Sequence, residues 1–174
     1  LGYPVWESAI GNYKLLKVNK ELVEAYVLTM DENFKNIATW LLEGSIDFDY
    51  ISESLLPSLC NKGSNPLKVG EMEYDAIIVP DCETLRSTTL ERLEAFRKAG
   101  GQLIFLGDAP TLEDAVPSGR GLRLWQASQQ CAFSQEALME ALKPVRILDI
   151  RNADSSRTDN LLHQIREDGD GKWL

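Results

Sequence analysis

The chain has 174 residues, 44% of them hydrophobic, enough apolar material for one domain with a sizeable core. Its formal net charge is -9 and its eighteen Lys and Arg are scattered rather than gathered into a stripe, which argues against nucleic acid as a partner. No apolar run approaches the roughly twenty residues of a membrane helix, and the three cysteines, Cys60, Cys82 and Cys131, lack C-x-x-C spacing, so no membrane span, disulfide framework or zinc site is expected.

Free thiols fit a reducing compartment, so a cytoplasmic location is expected. Leu1 to Val5 reads as the end of a first strand, with Trp6, Glu7 and Ser8 just beyond it. No initiator Met precedes it, so a piece excised from a longer protein is expected. Lys20 to Leu28 sets Leu22, Val23, Tyr26 and Val27 at helical spacing and predicts a short helix. Asp31 then reads as the N-cap of a second helix carrying Phe34, Ile37, Ala38, Leu41 and Leu42, with Gly44 as its stop and Trp40 off its main stripe. Ile46 to Ile51 alternates apolar and acidic residues with period two, which predicts an outer strand. Residues 57–73 are rich in turn formers and read as a connection with a short β segment at Leu67 to Val69.

Ala76 to Val79 is a continuous, β-branched apolar run closed by Pro80, the pattern of a strand buried on both faces. Thr88 and Glu91 fit a capping box and predict a helix whose stripe is Leu90, Leu93 and Phe96. Glu94 and Lys98 stand one turn apart on it, and Gly100-Gly101 ends it. Leu103 to Leu106 follows as a second buried strand. Strand, helix and strand with short joints predict a right-handed parallel βαβ unit. Pro110 to Gly121 reads as a loop. Ser134 can cap a helix bearing Leu138, Met139, Ala141 and Leu142, ended by Pro144 and followed by a strand at Val145 to Ile150. Leu161 to Arg166 and Lys172 to Leu174 read as the arms of a hairpin. The expected fold is α/β, a flavodoxin-like or class I glutamine-amidotransferase-like three-layer α/β/α sandwich with a mostly parallel sheet. Residues 1–150 would form it, and 151–174 would be a linker and β-hairpin leading into a further domain.

In open parallel sheets ligands bind beyond the C-terminal strand ends. Glu7, Asp81 and Asp108 each follow an expected strand there, with Trp6 beside Glu7, so this crevice is the candidate ligand site, for a cation or for sugar hydroxyls. The plainer role for each carboxylate is to cap the turn or helix that follows. Cysteine hydrolysis needs a nucleophile on a tight elbow with a histidine to hold its proton. The strand in the corresponding place runs Gln-Leu-Ile-Phe-Leu-Gly-Asp, so Asp108 stands where that cysteine belongs. His163 is the sole histidine and reads as a surface residue of the terminal hairpin, while Cys82 reads as a small semi-buried side chain. Asp47, Asp49 and Glu53 can be drawn as a glycosidase carboxylate pair, but adjacent carboxylates on an exposed face are usually solvated. Gly119-Arg120-Gly121 is too short for a phosphate loop. No catalytic residue, metal site or cofactor is expected.

Tyr74-Asp-Ala-Ile-Ile-Val-Pro80, then Thr89-Leu-Glu-Arg-Leu-Glu-Ala-Phe-Arg-Lys-Ala-Gly-Gly-Gln-Leu-Ile-Phe-Leu-Gly107, resembles the amidotransferase-like domain of large bacterial glycoside hydrolases. These include the trimerisation domain of family 42 β-galactosidases. The stretches Tyr3-Pro-Val-Trp-Glu-Ser-Ala9, Ile46-Asp-Phe-Asp-Tyr-Ile-Ser-Glu53 and Leu161-Leu-His-Gln-Ile-Arg-Glu-Asp-Gly-Asp-Gly-Lys-Trp-Leu174 are more similar to the corresponding region of α-L-rhamnosidase-type enzymes. The resemblance implies a catalytic barrel elsewhere in the same chain as partner, a scaffolding, assembly or active-site-support role for this domain, and contact with carbohydrate or homo-oligomer formation. None of the family's catalytic residues falls on a matching position. The rival expectations are a free-standing amidotransferase-like or cysteine hydrolase, and a carbohydrate- or cation-binding module.

Overall fold

The computed structural model describes residues 20–60, 63–156, 158, 161, 163, 166–168 and 171–173. The expected strand at Leu1 to Val5, and with it Trp6 and Glu7, lies outside them. The chain divides into two compact units, residues 1–35 and 36–174.

Between Lys20 and Glu43 there is neither Gly nor Pro, and the segment forms one helix, α1 (Lys20–Glu43), rather than the two expected. Asp31 therefore lies inside the helix, exposed, and caps nothing. The buried stripe is Ile37 and Leu41 with Trp40 packed beside them, whereas Phe34 and Leu42 are largely exposed. The stop also differs from expectation. Ser45 takes the left-handed conformation (φ 56°), its N–H donates to Leu42 O (3.1 Å), and Ile46 N–H donates to Leu41 O (2.9 Å). These are the two bonds of a Schellman ending. Gly44 serves a different need, because a Cβ there would run into the Met139 sulfur and lie 2.9 Å from Trp40 O.

Residues 46–51 form no strand. Their alternation survives only as burial, with Ile46 and Phe48 packed toward the core and Asp47 and Asp49 outside. Next come α2 (Leu56–Leu59) and a ribbon of β1 (Leu67–Val69) and β2 (Met72–Tyr74), paired antiparallel with Val69 opposite Met72. Gly70 opens the two-residue turn at φ 62°, the position where a type II′ turn requires glycine.

The remaining elements are β3 (Ala76–Pro80), β4 (Thr84–Leu85), α3 (Ser87–Lys98), β5 (Gln102–Leu106), β6 (Leu112–Glu113), β7 (Val116–Pro117), α4 (Arg120–Gln126), β8 (Gln129–Cys131), α5 (Gln135–Ala141), β9 (Arg166–Asp168) and β10 (Gly171–Trp173). The principal sheet is parallel, in the order β3-β5-β8, with Ala76 opposite Gln102 and Ile104 opposite Gln129. Alternate side chains of β5 feed two cores, as a strand's period of two demands. Leu103 and Phe105 join Leu90, Leu93 and Phe96 of α3, Leu56 of α2 and Leu67 of β1. Ile104 and Leu106 join Ile37 and Leu41 of α1 and Leu138, Met139 and Leu142 around α5. The fold is thus mixed α/β, with helices covering both faces of a parallel sheet.

The helix between β3 and β5 has the expected stripe and stop. Gly100 is left-handed (φ 90°), its N–H donates to Arg97 O, and Gly101 N–H donates to Phe96 O. Its start departs from the capping box. Arg86 is the N-cap and contributes no side-chain cap bond. Two carboxylates from elsewhere in the chain accept the unpaired N–H groups instead, Glu53 Oε2 from Arg86 N (2.8 Å) and Asp114 Oδ1 from Ser87 N (3.1 Å). Hydrogen bonding from the Ser87 side chain, and then this backbone bond, holds the Asp114 carboxyl below its usual range. Glu94 likewise pairs with Arg120.

The expected loop at Pro110 to Gly121 instead supplies two strands of a small sheet, β4-β6-β7, in which β4 and β6 are parallel and β6 and β7 antiparallel. Ser134 caps α5 as expected, its Oγ accepting from Ala137 N (3.2 Å). Val145 to Ile150 forms no strand, since nothing in the described residues offers it a ladder. β9 and β10 pair antiparallel, Arg166 opposite Trp173.

The β6–β7 turn places Asp114 and Ala115 at φ 50° and 63°. Two successive positive φ values define a type I′ turn, which normally draws glycine at its second central position. Alanine pays the Cβ clash there, so Ala115→Gly is expected to stabilise the protein by about 1 kcal/mol. A rise in the urea midpoint at unchanged slope would register it, and an unchanged or lowered midpoint would contradict the strain.

Candidate functional site

The parallel registers Pro80 opposite Leu106 and Leu106 opposite Cys131 bring three strand ends level with one another. Asp81-Cys82-Glu83 follows β3, Gly107-Asp108 follows β5, and Ala132-Phe133-Ser134 follows β8. The edge expected to collect Asp81 and Asp108 therefore does so, with Asp81 half-buried and Asp108 exposed. Trp6 and Glu7 lie outside the described residues.

Gly107 is the pivot of this edge. Its φ is 107°, and a Cβ on it would lie 2.8 Å from Asp81 Cβ. Only glycine meets both demands. Its N–H donates to Cys131 O (3.0 Å) and its carbonyl accepts Trp125 Nε1–H (3.2 Å), so the turn is tied to β8 and to α4. Glu83 O accepts both Thr111 N–H and Leu112 N–H (3.0 Å each), joining the loop after β3 to the loop after β5.

Cys82 packs against the core on the α3 side of the sheet. Burial pushes its thiol up to about 12, and the Glu53 and Asp81 carboxylates push in the same direction. Each of these effects disfavours the thiolate. Glu53 is the member of this neighbourhood that sequence reasoning placed elsewhere. It was paired with Asp47 and Asp49, and no spacing rule links residue 53 to residue 82.

The other carboxylates and the histidine are spread apart. Asp49 Oδ2 accepts Tyr74 Oη–H (2.8 Å), and burial first, then this bond, pushes the tyrosine hydroxyl up to about 12. Asp47 lies beside His163, Oδ1 to Nε2 3.5 Å. The His163 side chain is only 7% exposed, so the expected surface histidine is instead a nearly buried one. Its neighbour across this contact is Asp47, whereas the charged groups acting on Cys82 are the Glu53 and Asp81 carboxylates. Gly119-Arg120-Gly121 opens α4 as a structural clamp. Arg120 binds Glu94 through Nε (2.8 Å) and Nη2 (2.7 Å) and Glu113 through Nη1 (2.7 Å), and Gly121 lets the helix close on Pro110 O.

Chemically, the strand-end edge is an acidic lip with a suppressed thiol. No group of three or more His, Cys, Asp and Glu that would hold a metal ion occurs among the described residues. An open depression of about 300 Å³ lies at the opposite edge, lined by Arg97, Gly101, Gln102 and Gln129 among others. Within it Arg97 Nε donates to Ala127 O, and Gln102 Nε2 donates to Gln129 Oε1 (3.1 Å) and Ala141 O (2.6 Å). No helix among the described residues is long and apolar enough to cross a membrane. No family model, curated protein or solved structure matches this chain.

Proposed function

We propose that this chain is a non-catalytic, amidotransferase-like domain of the flavodoxin-like sandwich class, serving scaffolding, assembly or active-site support in a multidomain glycoside hydrolase of the α-L-rhamnosidase type. One observation carries the reading. The turn after β5, where a class I amidotransferase would carry its nucleophile, is Gly107-Asp108, and burial raises both thiols near that edge, Cys82, beside two carboxylates, up to about 12 and Cys131 in the same direction. A sheet that keeps the strand-end architecture with Asp108 in the nucleophile's place suits a domain retained for its surfaces. The resemblance of Tyr74 to Gly107 and of the 46–53 stretch to such enzymes supplies the parent's chemistry. The β9–β10 pair would then lead toward the next domain, in a cytoplasmic protein whose partner is its own catalytic barrel.

The test uses the protein made from the complete reading frame, the same protein lacking residues 1–174, and the isolated chain. The expected result is hydrolysis of an aryl α-L-rhamnoside by the complete protein alone or by it most strongly, with no glutamine hydrolysis by any of the three. Glutaminase activity in the isolated chain would overturn the reading in favour of a free-standing amidotransferase. A complete protein without glycosidase activity on a panel of aryl glycosides would overturn the proposed parent.

A further inference from the structure

Five large apolar side chains are about half exposed around α2 and the β1–β2 ribbon: Tyr50, Ile51, Leu55, Leu59 and Met72. Their backbones are tied into one surface. Leu55 and Leu59 stand one turn apart, and the turn bonding Leu55 N–H to Ser52 O (3.0 Å) sets Ile51 beside them. Leu59 O accepts Gly70 N–H (2.9 Å), which brings the ribbon turn and Met72 to the end of α2. On the other side, the Tyr74–Asp49 bond returns the ribbon to the segment bearing Tyr50. A contiguous apolar face of this kind on a water-soluble surface marks an interaction site.

Charge decides what it fits. Residues 46–75 carry six carboxylates, Asp47, Asp49, Glu53, Glu71, Glu73 and Asp75, against two lysines, which accounts for four of the chain's nine net negative charges. Lys68 is already paired with Glu73 (2.8 Å). Arg92, packed beneath α2, is turned inward, its Nε on Cys60 O (2.6 Å). The segments carrying the apolar side chains are thus net acidic. A second copy meeting this face through a two-fold axis would set like charge against like, which is repulsive. We propose that the face docks a protein surface of opposite design, an apolar ridge flanked by Lys and Arg. The proposal holds whatever the parent enzyme is.

Isothermal titration with two synthetic amphipathic helices tests it, one with a leucine face flanked by lysines and one with the same face flanked by glutamates. The leucine–lysine peptide is expected to bind the wild-type chain and to bind Leu55→Asp/Leu59→Asp at least tenfold more weakly. That variant adds negative charge, so pure charge attraction would strengthen binding instead. Met72→Glu should weaken it likewise, Leu42→Asp, an exposed site elsewhere, should not, and the leucine–glutamate peptide should not bind. Circular dichroism verifies that each variant is folded. Absent binding, equal or tighter binding by the double variant, or equal binding of both peptides would overturn the proposal. So would a wild-type dimer that Leu55→Asp/Leu59→Asp converts to monomer in sedimentation, since the occupant would then be a second copy.

Discussion

Phe96→Ala is expected to destabilise the protein by about 3 to 5 kcal/mol, the cost typical of emptying a buried aromatic site. Phe96 is fully buried and belongs to the core that joins α3 to Leu103 and Phe105 of β5. The ring also lies directly over Gly101, where any added Cβ would collide with it. Two substitutions at these positions must therefore be strongly non-additive. Gly101→Ala alone forces the ring from its place, as overpacking does, at roughly 1 to 3 kcal/mol. In a Phe96→Ala background the same substitution meets empty space and fills part of it. The expected double-mutant cycle has the pair more stable than the sum of the two single losses by at least 1 kcal/mol. Urea unfolding of the four proteins measures it, and simple additivity would mean that the ring does not sit against Gly101.

What could be read in advance follows the source of each element's stability. β3, β5 and α3 were legible because their burial is written locally, in the runs Ala76 to Val79 and Leu103 to Leu106 and in the Leu90, Leu93, Phe96 stripe. β8 was not. Gln129-Gln130-Cys131 has no apolar run, and it is a strand only because the free edge of β5 supplies parallel ladder partners. α4 was hidden for the related reason that Gly119, Gly121 and Pro117 look like loop punctuation, whereas Gly121 is the contact that lets the helix approach Pro110. In contrast, the alternation at 46–51 looked like a strand and found no partner to pair with. The start of α3 shows the limit most directly. Thr88 and Glu91 offered a local cap, yet the N–H groups went to Glu53 and Asp114, 33 and 27 residues away in sequence.

The candidate site divides in the same way. Asp81 and Asp108 were placed at one edge from strand ends alone, because parallel strands in register must deliver their C-termini together. Gly107's dual role and Glu53's approach to Cys82 belong to packing, which no spacing rule encodes.

That packing makes Cys82 the most sharply testable residue. A thiol titrating near 12 rather than near its usual value of roughly 8.5 carries about 3,000-fold less thiolate at neutral pH. The more basic thiolate is intrinsically more nucleophilic, which returns a factor of roughly 30. Iodoacetamide should therefore label Cys82 about a hundredfold more slowly than an unperturbed thiol at pH 7, before any shielding by burial is counted. Mass spectrometry of timed digests gives the rate. The same shift predicts an alkaline limb of stability. Above pH 8.5 or so the unfolded chain releases this proton while the folded one keeps it, so the folded state binds more protons. Stability then falls as pH rises, by about 1.4 kcal/mol per pH unit, until the folded thiol also ionises. This contribution is whole below the unfolded value and lost as pH climbs toward 12. Between pH 8.5 and 10 the wild type should lose about 2 kcal/mol more than Cys82→Ala, whatever the variant's offset at neutral pH. Parallel pH profiles, or stoichiometric labelling of Cys82 within minutes at pH 7, would mean that the thiol is not suppressed, and the enzymatic reading of this edge would return.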